Sequence, residues 1–263
     1  MRKTAKLALL ITAAAVILPG CTARGEEEAF KKAQEHLIEG NYEKAITGCA
    51  AFIERFPQGR LAPQCQYMIG YVYSRHLSNP RKAMDAYSLL FYLYPDSPQI
   101  YLAREDRAKI YSSMDDHVKA IGEYAWLVEN GPYKTKDLYR YKIALEYIKA
   151  DNFRQARIEL AGLLKEMPQT PLSPDIHYHI AITHYLEGNL KEAIEAYENI
   201  ISSFPGHPVY MEARLGKAQA IEESGRLGEA FKILLELEKE YPNSEVVRVR
   251  MKSLRERRKK ELS

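Results

Sequence analysis

The sequence predicts an all-α fold, a solenoid of six helix–turn–helix repeats closed by a C-terminal capping helix. Three columns of residues predict it. Ala45, Ala83, Ala120, Ala156, Ala193 and Ala230 recur at spacings of 38, 37, 36, 37 and 37. A proline follows each alanine by twelve residues, at Pro57, Pro95, Pro132, Pro168, Pro205 and Pro242. A small residue precedes each alanine by twelve or thirteen, at Ala33, Gly70, Ala108, Ala144, Ala181 and Ala218. Three columns in register over six copies mark an internal repeat.

Composition agrees. Of 263 residues, 46% are hydrophobic and 28% charged, enough to build a core and too apolar for a disordered chain. Lys plus Arg number 38 against 35 Asp plus Glu. Arg2, Lys3 and Lys6 belong to a segment expected to be removed, which leaves 35 against 35. A neutral chain lacks the excess cations that a general nucleic-acid binder needs to displace phosphate counterions, so no nucleic-acid partner is expected.

The chain opens on an address. Three cations precede Leu7–Leu18, twelve residues without charge, too few for the roughly 20 that span a bilayer. A basic region, a short apolar region and a small residue before the cut form a secretory signal peptide over residues 1–20. Leu18-Pro19-Gly20-Cys21 resembles a bacterial lipobox, with Pro19 in place of the usual small residue. The resemblance implies cleavage before Cys21 and diacylation of its thiol; an ordinary signal peptide with a chance cysteine is the alternative. Two or three acyl chains anchor a protein stably where one does not. Thr22, where an inner-membrane retention signal places Asp, implies by the same resemblance the periplasmic face of the outer membrane. Residues 21–25 then form a short lipidated tether, whose four extended residues reach at most about 14 Å.

Residues 26–244 hold the repeats. Each first helix runs to a turn such as Gly40-Asn41, Asp151-Asn152, Gly188-Asn189 or Gly225-Arg226, types that tolerate the left-handed backbone of a helix C-terminus. Alanines in both helices allow close backbone approach. The closing proline lacks an amide donor and ends the second helix. A large residue, at His36, Tyr73, Tyr111, Tyr147, His184 and Ile221, is expected between the two helices. Two antiparallel helices cannot cover their own apolar faces, so stacking is required.

These columns resemble tetratricopeptide repeats, in the slightly long form whose units are separated by a Tyr/Phe-Pro turn. Phe56-Pro57, Tyr94-Pro95, Phe204-Pro205 and Tyr241-Pro242 carry that resemblance. It implies a right-handed superhelix whose concave wall is lined by first-helix residues. The candidate partner-binding groove is Phe30, Gln34, Tyr67, Tyr71, Lys109, Tyr141, Leu145, Tyr178 and Ile182, with Glu105 also on the wall. Tyrosine suits a binding surface, offering rigid area and a hydroxyl, although 19 tyrosines also fit plain interface filling. The Lys and Asn pattern with which some such domains clamp a C-terminal carboxylate is missing.

Residues 245–263 carry eight basic and three acidic residues, with Val247, Met251 and Leu254 on one helical face. A capping helix is expected, with a basic contact to anionic lipid or an acidic partner as the alternative. Cys49 and Cys65 fall on helices expected to be neighbours beyond the membrane. A disulfide fits them, and so do two small buried thiols.

Chemistry finds little footing. No phosphate loop, nucleophile elbow or His-Glu-x-x-His occurs. His177, His179 and His184 are spaced wrongly for ligands on one helix face, so no metal or other cofactor is expected. Glycoside hydrolysis needs two facing carboxylates, and Glu105 has no evident partner. A lipid anchor plus a solenoid without catalytic residues reads as a non-enzymatic scaffold that holds envelope proteins or peptides in its groove, with no small-molecule substrate. The combination resembles BamD-type lipoproteins of outer-membrane β-barrel assembly. The alternatives are a pilotin-like lipoprotein that assists a secretin, and the group that couples Tol-Pal to peptidoglycan synthesis.

Overall fold

The computed structural model describes the backbone of residues 19–240 and 244–261 and the side chains of 24–240 and 245–257. Residues 1–18, most of the expected signal peptide, and the Cys21 side chain lie outside the described residues. Every element is helical, and among the described residues there is no strand.

The chain divides into two compact units, Met1–Ala103 and Arg104–Ser263. The first holds α1 (Pro19–Ile38), α2 (Tyr42–Arg55), α3 (Ala62–Arg75), α4 (Pro80–Leu93) and the start of α5 (Gln99–Ser113). The second holds the rest of α5, α6 (His117–Asn130), a single 3-10 turn (Tyr133–Thr135), α7 (Lys136–Lys149), α8 (Phe153–Glu166) and α9 (Ser173–Leu186). It continues with α10 (Leu190–Ser203), α11 (Val209–Glu223), α12 (Leu227–Glu240) and α13 (Ser244–Glu261). From α1 to α4, and again from α6 to α13, each helix packs on the next in sequence.

The columns explain why. All six column alanines are completely buried, and the small residues that precede them are buried too. Gly70 shows what smallness achieves, because a Cβ there would come within 2.4 Å of the Tyr87 ring. The ring of Tyr197 lies equally close over Gly216, so two buried tyrosines owe their seats to a missing side chain.

Each first helix ends in the same way. A left-handed residue follows it, at Gly40 (φ 76°), Ser78 (48°), Asp115 (57°), Asp151 (53°), Gly188 (77°) and Gly225 (83°). The next amide then reaches back to the carbonyl of the large-residue column. Asn41 donates to His36 (2.8 Å), Asn79 to Tyr73 (2.8 Å), Asp116 to Tyr111 (2.9 Å), Asn152 to Tyr147 (2.8 Å), Asn189 to His184 (2.9 Å) and Arg226 to Ile221 (3.1 Å). This is the helix-closing motif that satisfies carbonyls otherwise left bare. At Asp151-Asn152 it is the aspartate that turns left-handed; Asn152 instead caps α8, its side chain accepting from the Gln155 amide.

Second helices stop one residue before their proline. Phe56, Tyr94, Met167 and Phe204 cap them with φ between −135° and −129° and ψ between 50° and 66°, outside the α region that a following proline disfavours. Gly131 departs, with φ −79° and ψ 169°, and the 3-10 turn follows it.

Two sequence expectations change. Residues 21–25 are not an extended tether but the first turns of α1, where Arg24 pairs with Glu28 one turn on (3.1 Å). Glu26 and Glu27 then accept from the Arg60 amide (3.1 Å) and guanidinium (3.3 Å), which holds this end against the α2–α3 turn. Cys49 and Cys65 are both free, buried thiols rather than a disulfide. Cys49 Sγ contacts Met68 Sδ at 3.5 Å, and the hydrogen bond with Cys49, followed by burial, pushes the Cys65 thiol far above its ordinary range.

At the C-terminus, Val247, Met251 and Leu254 of α13 are buried and join the core that Leu234 and Leu237 of α12 belong to. Arg250 (2.8 Å) and Arg257 (2.5 Å) both reach the buried carboxylate of Glu222 on α11.

Candidate functional site

Of the nine candidate groove residues, four lie in the first unit and five in the second, so they form two walls. Phe30 and Gln34 sit one turn apart on α1, Tyr67 and Tyr71 one turn apart on α3. Gln34 is exposed and the other three are half-buried, with Phe30 and Tyr71 packed against the core. Phe30 meets Phe52 edge-on at 6.5 Å. Tyr67 lies 6.1 Å from Tyr71 and 5.9 Å from the buried Tyr87. Tyr71 abuts His76 at 5.6 Å, and His76 stacks on Tyr42 at 4.4 Å. The first wall thus carries a continuous row of rings, Tyr67, Tyr71, His76 and Tyr42, backed by the buried Tyr87 and rigid because each ring is braced by the next.

The second wall is polar at one end and aromatic at the other. Lys109 on α5 pairs with Glu105 (2.8 Å) and Asp106 (3.5 Å). Glu105 also accepts from the Tyr139 hydroxyl at 3.2 Å. Burial pulls its carboxyl upward, but Lys109, Lys142 and that hydroxyl together hold it below the ordinary glutamate range. Lys109 and Leu145 line a cavity of about 670 Å³ with Ser112, His117, Tyr124 and Lys142. At its floor the buried Glu146 accepts from Lys149 (2.7 Å), His117 (2.9 Å) and Ser112 (3.0 Å). Burial again opposes ionisation there, and the three donors overcome it, so Glu146 titrates below its ordinary range.

At the aromatic end, Tyr141 on α7 and Tyr178 on α9 are half-buried, with Leu145 and Ile182 one turn beyond them. His179 Nδ1 lies 2.9 Å from the Tyr141 hydroxyl and 2.8 Å from the Asp175 carbonyl. A carbonyl only accepts, so Nδ1 carries the hydrogen. Burial depresses the titration of His179, and of His177 and His184. Burial pushes the Tyr178 hydroxyl up to about 12, so it stays protonated at neutral pH.

The structure separates the histidines. His177 lies against the Phe204 ring at 5.7 Å, His179 against Tyr141, and His184 closes α9 through its carbonyl. Among the described residues no three metal-binding side chains converge. Sequence reasoning missed Ser112, His117, Lys142 and Glu146, which meet from three helices. Their one sequence signal was adjacency, Lys142 beside Tyr141 and Glu146 beside Leu145.

Family models described as tetratricopeptide repeat match residues 64–97, 141–208 and 184–252. The repeats are tetratricopeptide repeats. Solved structures agree on this fold. A tetratricopeptide repeat protein from Parabacteroides merdae superposes with a TM-score of 0.65 at 19% identity, over 88% of this chain and 87% of that one. PilW, a widely conserved type IV pilus biogenesis factor, gives 0.57 at 16% identity, over 85% and 97%. PilF of Pseudomonas aeruginosa gives 0.55 at 14%, over 87% and 99%. No curated protein matches the chain. Tetratricopeptide first helices supply both walls.

Proposed function

We propose that this chain is a non-catalytic, lipid-anchored tetratricopeptide scaffold that binds extended segments of envelope proteins along its two walls. The observation that carries the reading is the state of the nine wall residues: none is buried, and the aromatic ones are braced from behind by the core. Pre-ordered aromatic area binds with little loss of side-chain freedom. Anchoring is read from the lipobox at Cys21. Among the described residues no helix is long and apolar enough to cross a membrane, so on this reading the acyl chains alone hold the protein at the periplasmic face of the outer membrane.

Among envelope machines, the pilotin-like reading, in secretin and type IV pilus assembly, draws support from the likeness to PilW, a type IV pilus biogenesis factor. The BamD-like reading rests on the combination of lipobox and repeats, and the Tol-Pal reading on the Tyr/Phe-Pro turn. A photo-crosslinking residue at Tyr71 or Tyr141, in cells, distinguishes them. Capture of a secretin or pilus subunit supports the first, and of a β-barrel assembly subunit the second. Capture of nothing at either position sinks the wall reading. Cys21→Ser should release the protein from membranes; its retention there would remove the anchor from the proposal.

A further inference from the structure

The first unit carries a second groove that the walls do not use. It holds about 520 Å³, in the range of ligand clefts. Ala50 and Ile53 of α2 form one bank, Ile69 and Tyr73 of α3 the floor, and Ala86, Leu89 and Leu93 of α4 the other bank. Its floor residues sit roughly 120 to 160° around α3 from Tyr67 and Tyr71, so this groove opens on another side of the helix from the aromatic wall. Leu89 is 50% exposed, Leu93 46% and the adjoining Tyr92 82%, which gathers three large apolar side chains on one outer stripe of α4. Single exposed apolar residues need no explanation, but a stripe beside a cleft does.

The rim says what would cover it. Glu54 on the α2 bank and Asp85 on the α4 bank are exposed carboxylates, and neither forms an ion pair with a described cation. Lys82, the one cation of the lining, has its ammonium 5.2 Å from the Tyr73 ring centre. An apolar trough between two unneutralised acids suits a helix whose apolar stripe enters the trough while Lys or Arg at its flanks meets the acids.

We propose that this groove docks an amphipathic, basic-flanked helix of a partner protein, at a surface separate from the walls. The test uses the full-length chain and two labelled helical peptides of the same apolar pattern, one of Leu and Lys, the other of Leu and Glu. Fluorescence anisotropy should show the Leu-Lys peptide bound at least about tenfold more tightly. Leu89→Asp together with Leu93→Asp should reduce that binding about tenfold or more, and both sites are half-exposed, so the core is untouched. Glu54→Lys with Asp85→Lys should reverse the peptide preference, while Tyr71→Ala leaves it unchanged.

Equal binding of the two peptides overturns the proposal. So does binding lost in Tyr71→Ala but kept in the α4 variant, which would place the peptide on the wall. A dimer of the chain that the α4 variant dissolves without peptide would assign the groove to a second copy instead.

Discussion

Single residues show how narrow the tolerances are. Gly70 and Gly122 are both helical glycines, yet a Cβ at Gly70 meets the Tyr87 ring while one at Gly122 meets nothing within 4 Å. Gly70→Ala should therefore destabilise by about 1–3 kcal/mol through overpacking. Gly122→Ala should stabilise by about 0.5–1 kcal/mol through helix propensity. Urea denaturation of both variants checks the opposite signs. Glu146 gives a pH prediction. Its folded titration lies below the ordinary 4.5, so the stability it contributes is present above that pH and is lost as pH falls through the lower folded value. Glu146→Gln should flatten the acid limb of a melting-temperature profile below about pH 4.5, where a change confined to neutral pH would contradict the assignment. This cluster could not be read from the sequence, because Ser112, His117 and Glu146 are joined by a fold with contacts 29 and 34 residues apart. The column alanines could be read, since smallness at a fixed period has one packing explanation.

Helices and their ends were largely legible, and the exceptions have causes. Gly-Asn and Asp-Asn pairs announce a left-handed closure, but Ser78 and Asp115 adopt the same conformation without a glycine. The motif is demanded by the carbonyl it satisfies, and the residue type only sets its cost. That cost is measurable. Gly188→Ala should lose about 1 kcal/mol, and Asp151→Gly should gain a few tenths to about 1 kcal/mol, since the backbone at both is left-handed. Denaturant midpoints that shift with unchanged slopes check this, and a gain from Gly188→Ala would be incompatible with the closure described. Residues 21–25 look like linker in isolation, four small or polar residues after the cysteine, yet their backbone is helical. α1 runs through them, with Arg24 paired to Glu28 and the clasp on Arg60 just beyond.

Over the whole molecule, the presence of repeats was legible from period and their type from the Tyr/Phe-Pro turns, whereas the division at Ala103, within α5, left no trace in the columns. α13 continues the packing without belonging to a repeat. Deleting residues 244–263 should bare Leu234 and Leu237 and strip Glu222 of both arginines. Hydrogen exchange should then speed up in α11 and α12 and stay unchanged in α2 and α3, while acceleration spread over all helices would argue against nearest-neighbour cooperativity. That sequential packing also has a mechanical meaning. A chain whose helices rest on their immediate neighbours has few ties that bridge a repeat, so under tension applied along it the junctions give way one at a time, the weakest first. Each repeat of about 37 residues stores roughly 130 Å of contour. A protein built this way, pulled from its two ends, would lengthen in repeat-sized steps and recoil as the load falls.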